Sequence, residues 1–322
     1  MVTFGAGLAA WLGRRLKISA HAERVLTAAG AAAGFAAVFD APAAGALFAV
    51  EVLLREVSPQ TLSAVALAAG AGTAIARRML GARESLHGAA AGASLRSPGE
   101  LVFYLILAAA AALFAKLFIE IAIKVEKGFD HAIRGPAARA ATGGMLLGLL
   151  GLVLPQALGN SHPDLPPLFA AAAGAPLAWG GLLLLLFGKM IACPLTVGSG
   201  GSGGIFIPYL FMGAALGGVV GRFVQGHFAW AAPTSAYMLV GMGAVFAAIT
   251  LAPLTAIVLV LELTRNWNMA LPLAVSVAAA AAIARAVEPE SLDTRKLLKK
   301  GINLREISDV WAVDSPAEAA GS

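Results

Sequence analysis

The chain has 322 residues, 59% hydrophobic and only 13% charged, with a mean hydropathy of +0.82. Soluble domains carry about 25% charged residues, so the composition excludes an ordinary soluble domain and points to an all-α, polytopic integral membrane protein. The formal charge of +5 does not call for a nucleic-acid partner: the basic residues cluster between apolar segments (Arg14, Arg15, Lys17; Arg77, Arg78, Arg83; Arg295, Lys296, Lys299, Lys300), as in loops retained in the cytoplasm.

Met1 runs straight into Val-Thr-Phe-Gly without a basic leader, so no cleavable signal peptide is expected. Residues 25–56 form an apolar stretch interrupted at Phe39-Asp40-Ala41-Pro42. Proline lacks an N–H and disfavours helical geometry in the residue before it, which predicts helix, break, helix. Apolar windows of about 17–25 residues, long enough to cross a bilayer as helices, follow at Leu101–Ile123, Ala140–Leu158, Leu177–Val197, Ile205–Val224, Ala236–Leu263 and Leu271–Ala286. The first belongs to a helix predicted over 99–127, longer than a perpendicular crossing needs, so tilt is expected. Asn160 to Pro167 reads as a loop, and Val313 to Ser322 as a frayed tail. The histidines (His21, His87, His131, His162, His227) show no metal-ligand spacing, and the single Cys193 allows no intrachain disulfide. No metal, organic cofactor or enzymatic activity is expected.

The most informative pattern is an internal repeat. At one offset of 211 residues, Gly30 matches Gly241, Phe35 matches Phe246, Ala41-Pro42 match Ala252-Pro253, and Glu51 matches Glu262. Alanine matches mean little in so alanine-rich a chain; gapless agreement of Gly, Phe, Pro and Glu means more. A three-residue adjustment extends the match backwards, pairing Gly5-Ala6, Leu8 and Gly13-Arg14 with Gly213-Ala214, Leu216 and Gly221-Arg222. Membrane transporters are built from such repeats, often inverted, with the substrate site between the halves. The expected fold therefore has broken, tilted helices and an inverted internal repeat. Its expected divisions are 1–56 (remnant of the first half), 57–98 (connecting segment and loop), 99–287 (second half) and 288–322 (terminal helix and polar tail).

Gly198-Ser-Gly-Gly-Ser-Gly-Gly204 contains only glycine and serine, yet sits between apolar windows. It fits G-x-G-x-x-G formally, but no acidic residue follows until Glu262, too far for a dinucleotide site, and no Gly-Lys-Ser/Thr follows for a P-loop. Pro208 suits the first turn of a helix. The run then delivers backbone to a helix N-terminus at membrane depth, where free N–H groups must line a cavity or meet a ligand. Such an end attracts anions, with Ser199 and Ser202 as added hydroxyl donors. The sign of charge agrees, since Leu165 to Leu261 contains Lys189 and Arg222 but no Asp or Glu. The competing reading is a hinge or a tight helix crossing made of small residues.

Gly198-Ser-Gly-Gly-Ser-Gly-Gly-Ile-Phe-Ile-Pro208 resembles the G-I-F-x-P signature of the CLC chloride channels and chloride/proton antiporters, glycine-rich lead-in included. The resemblance runs from Met1 to about Gly301 and takes in Gly30–Glu51, Leu154–Gly159 and Ala252–Glu262. It implies chloride or a similar small anion as substrate, bound at Gly203, Gly204, Ile205 and Phe206 through backbone N–H groups. It further implies a homodimer with one pore per subunit in the lipid bilayer; the high alanine and glycine content points to a bacterial genome and hence to the inner membrane. Ser202, Asp293 and Thr294 are the expected further pore-lining residues.

The sequence departs from the family pattern in several places. The family's G-x-E-G-P would precede Met1, and its G-S-G-I-P segment is absent. Either an internal Met has been taken as the start or the gene is truncated; the first reading is preferred. Val52 stands where proton-coupled members often carry a second Glu, so Glu51 and Glu262 are expected to serve helix ends or a subunit contact. Asp293 stands at a position where the family has an anion-donating Tyr; a slipped alignment, an Asp293 facing water, or altered chemistry would each account for it, with Thr294 or Ser291 as replacement hydroxyls. The two alternatives to anion transport are a non-transporting subunit that only associates with intact ones and an unrelated transporter of organic anions.

Overall fold

The computed structural model describes residues 1–81, 86, 92–159, 165–173, 179–288, 292 and 295. The described residues are helical apart from short connections. In order these are α1 (Val2–Leu16), α2 (Ala20–Phe39), α3 (Pro42–Phe48) continued by a π-helical turn (Ala49–Leu54), α4 (Pro59–Leu80), α5 (Glu100–Ala132) and α6 (Pro136–Val153). A 3₁₀ turn (Pro155–Ala157) follows, then α7 (Leu165–Ala173), α8 (Trp179–Gly198), α9 (Phe206–His227), α10 (Thr234–Thr250) and α11 (Pro253–Thr264). A second 3₁₀ turn (Trp267–Met269) leads into α12 (Ala270–Val287). Among the described residues, six helices are long and apolar enough to cross a membrane. With 33 residues, α5 is about 50 Å long, well beyond the hydrocarbon thickness, so it must tilt.

Two expectations need correcting. The apolar window Ala236–Leu263 is not one crossing helix: it breaks at Leu251-Ala252 into helices of 17 and 12 residues. Pro253 enforces the break, as Pro42 does after Phe39. The stretch expected as a loop to Pro167 already turns helical at Leu165, with two prolines in the first turn of α7, where a missing N–H costs nothing.

The repeat is real in three dimensions. Asp40 and Leu251, equivalent at the offset of 211, both end their helices in the left-handed conformation, each with φ 56°. The next residues, Ala41 and Ala252, are also alike (φ −131° and −120°). A Cβ placed on Gly30 would collide with the carbonyl oxygen of Gly5, and one on Gly241 with that of Gly213, so both copies cross at backbone contact. The correspondence runs on to α4 and α12, which begin at Pro59 and Ala270, again 211 apart.

Glu51 and Glu262 show how the copies are joined. The Glu51 carboxylate accepts hydrogen bonds from the N–H of Leu254 (3.0 Å) and from the N–H and hydroxyl of Thr255 (both 2.7 Å), at the start of α11. Glu262 accepts from the N–H groups of Ala43 (3.0 Å) and Ala44 (2.8 Å), at the start of α3. Each copy caps the opened helix end of the other, satisfying donors that proline-led helices leave exposed. Such an exchange, i to j and j to i, is what a two-fold relation produces. The helix-end role expected of both glutamates therefore holds.

Candidate anion-facing helix terminus

The glycine-rich run does two jobs in sequence. Its first part ends α8: Gly200, with φ +86°, donates to the Val197 carbonyl (3.1 Å), and Gly201 donates to Thr196 (2.9 Å). This is a Schellman cap, which needs a residue tolerant of positive φ. The Ser199 hydroxyl is turned back onto the Thr196 carbonyl (3.1 Å), so Ser199 is spent on the helix end rather than available as the donor expected of it.

The second part, from Ser202 to Gly204, is irregular backbone leading to Ile205, the N-cap of α9. Among the described residues, no hydrogen bond is made by the N–H groups of Ser202, Gly203, Gly204, Ile205, Phe206 or Ile207. Pro208 has no N–H to add. The helix thus offers the positive end of its dipole and a run of backbone donors at one point. Ser202, Gly203 and Gly204 are exposed and line a cavity of about 350 Å³, together with Pro208, Thr196, Cys193 and Lys189.

Phe206 fixes the direction of that terminus. Its ring lies 5.6 Å from Phe35 and 5.8 Å from Phe246, residues equivalent in the two copies, and 5.3 Å from Phe48. Edge and tilted ring pairs of this kind add about 0.5–1.5 kcal/mol each beyond burial. The first turn of α9 is therefore wedged between the two halves of the repeat, where a repeat-built site is expected.

Lys189 is the residue whose role sequence reasoning missed. Its side chain is 1% exposed, and its Nζ donates to three successive carbonyls, those of Ala157 (3.0 Å), Leu158 (3.0 Å) and Gly159 (2.8 Å). It also lies 5.8 Å from the centre of the Phe211 ring. The ammonium stitches the corner after α6 to α8 and sets a positive charge in the wall of the same cavity. Its only signal in the sequence was a lysine inside an apolar window. Ile205 lines instead a smaller void of about 30 Å³, with Glu126 and Tyr209. Asp293, Thr294 and Ser291 lie outside the described residues.

A membrane protein of paired, interrupted helices, with a polar backbone terminus held between its repeated halves, belongs structurally with membrane transporters of the repeat-built class. Comparison with known proteins makes this specific. A family model described as voltage gated chloride channel matches residues 1–285, and the chain belongs to that family. It is 32% identical over 307 residues to a ClcB-like chloride channel protein of Ralstonia nicotianae, covering 93% of this chain and 70% of that protein. It is 33% identical over 266 residues to ClcA, an H(+)/Cl(-) exchange transporter of Citrobacter koseri, covering 79% of this chain. The chain spans about half of that relative's length, 54%. The crystal structure of a slow cyanobacterial Cl-/H+ antiporter superposes with a TM-score of 0.79 at 26% identity, over 93% of this chain and 70% of the other.

Proposed function

We propose that this protein takes part in moving chloride, or a similar small anion, across a membrane, and that the anion is held by the backbone N–H groups of Gly203, Gly204, Ile205 and Phe206. One observation carries the reading: a run of N–H donors with no partner among the described residues, at the N-terminus of a crossing helix wedged between two repeat halves. Ser202 contributes a hydroxyl on the same cavity, and Asp293 and Thr294 are the pore-lining candidates from the polar C-terminal region. A bacterial inner membrane and a homodimer complete the proposal; the family resemblance supports the dimer, and bacterial relatives such as the Ralstonia and Citrobacter proteins support the membrane.

Purified protein reconstituted into chloride-loaded liposomes provides the test. Chloride efflux is expected, and it should be lost when Ile205 and Phe206 are both replaced by tryptophan. Chloride binding by calorimetry without any efflux supports the non-transporting subunit instead. Efflux of organic carboxylates in preference to chloride would move the assignment to an organic-anion transporter. Simultaneous recording of external pH reads out whether protons accompany the anion.

A further inference from the structure

Among the described residues, four buried side-chain oxygens make no hydrogen bond: Glu100 Oε1, Tyr104 Oη, Tyr237 Oη and Ser276 Oγ. Three of them belong to one cluster, remote from the glycine-rich loop in sequence and assigned no role by the anion site. Glu100 and Tyr104 lie one turn apart on the same face of α5. The Tyr104 ring is 4.8 Å from that of Tyr237, on α10. Glu100 acts electrostatically on both phenols. All three residues are 0% exposed.

The surrounding groups are already committed. Glu100 Oε2 accepts from the Arg96 N–H (3.3 Å), and the Arg96 guanidinium donates to the Ala231 carbonyl (3.4 Å). Neither reaches Oε1 or the phenols. A buried polar atom left unmatched costs about 1–3 kcal/mol, and a cluster of them marks a missing partner rather than independent accidents.

Counting donors and acceptors identifies that partner. The two phenols each have a hydrogen to place, while Glu100 Oε1 needs a donor. A cation would satisfy the carboxylate but leave both phenol hydrogens without an acceptor. A water molecule has two lone pairs for the phenols and a hydrogen for Oε1. That makes three hydrogen bonds, the usual number for a buried water.

We propose that one water molecule is bound between Glu100, Tyr104 and Tyr237 and ties the N-terminal ends of α5 and α10 together. The site does not depend on the anion assignment. A density map of the purified protein, at a resolution that shows ordered water, should hold a peak about 2.6–3.2 Å from all three oxygens. No peak, a direct bond between Glu100 and either phenol, or a peak at the shorter distances of a metal ion overturns the proposal. Thermal unfolding of Tyr104→Phe, Tyr237→Phe and the double variant gives an independent reading. Each single change should lower the midpoint by about 2–4 °C, and the double by little more, because the shared water is lost once. Additive losses, or no loss in either single variant, overturn it as well.

Discussion

The two copies of the repeat share a backbone but differ in how deeply they are packed. In the second copy, α10 is buried at every position from Thr234 to Ile249. In the first, α2 buries only Ala28, Ala29, Ala31, Ala32, Phe35, Ala36 and Phe39, and α1 only Gly13. Within the second copy α10 is enclosed by α9, α11 and α12 and covered by α5 as well, whereas α2 packs mainly against α1, α3 and α4 of its own copy. One helical plan thus serves as a core in one place and as a wall in the other, and equivalent residues should respond unequally to the same change.

Replacing the crossing glycines tests this most severely. Gly241→Val puts a branched side chain onto the Gly213 carbonyl with no room to yield, and should cost more than about 3 kcal/mol; little monodisperse protein is expected after detergent extraction. Gly30→Val makes the same collision with Gly5, but α1 is largely exposed and can shift, so a folded protein with a lowered melting midpoint is expected. Equal losses from the two would refute the contrast.

The anchor of the second copy comes next. Lys189→Met keeps the packing volume but strips the donor from three carbonyls, for a loss of about 3 kcal/mol. Because the ammonium also lines the cavity beside Gly203 and Gly204, chloride affinity should fall along with the melting midpoint.

The reciprocal caps give a smaller and more balanced effect. Glu51→Ala removes three hydrogen bonds and Glu262→Ala two. The expected losses are about 2–3 and 1–2 kcal/mol, measured as shifts in thermal unfolding. The smallest effect belongs to Arg77→Ala. The ion pair of Arg77 with Asp40 is half exposed and has no counterpart at Leu251, and its loss should cost no more than about 1 kcal/mol.

What could be read from the sequence was whatever depends on residue type at fixed spacing. Pro42 announced its break because proline's effect is local, whereas the equivalent break at Pro253 lay hidden in an apolar window long enough to cross as one helix. Glu51 and Glu262 were legible as helix-end residues because carboxylates in apolar sequence need donors and the repeat matched them. The glycine-serine run marked an open helix terminus, but the sequence could not show that Gly200 and Gly201 serve α8 while only the later residues face the cavity. It did not show what Lys189 holds either, since its three carbonyl partners lie about thirty residues away. The helical start of α7 at Leu165 was hidden by prolines that usually signal a loop. The meeting of Tyr104 with Tyr237 depends on a tertiary contact that no local pattern encodes.

The π-helical turn in the first copy has a consequence for moving parts between the copies. From Pro42 through that turn the first copy has helices of 7 and 6 residues, where α11 has 12, so it carries one residue more. The helices end at the left-handed Arg55 and Arg265, only 210 apart, yet α4 and α12 start 211 apart again. The connecting loop of the first copy has given back the residue its helix gained. Helix and loop therefore form a single exchangeable cassette. A chimera carrying residues 253–269 in place of 42–58 keeps every downstream side chain in phase. One that exchanges the helix alone leaves the connection to α4 one residue short, so α4 reaches its place only by stretching that connection or unwinding its first turn.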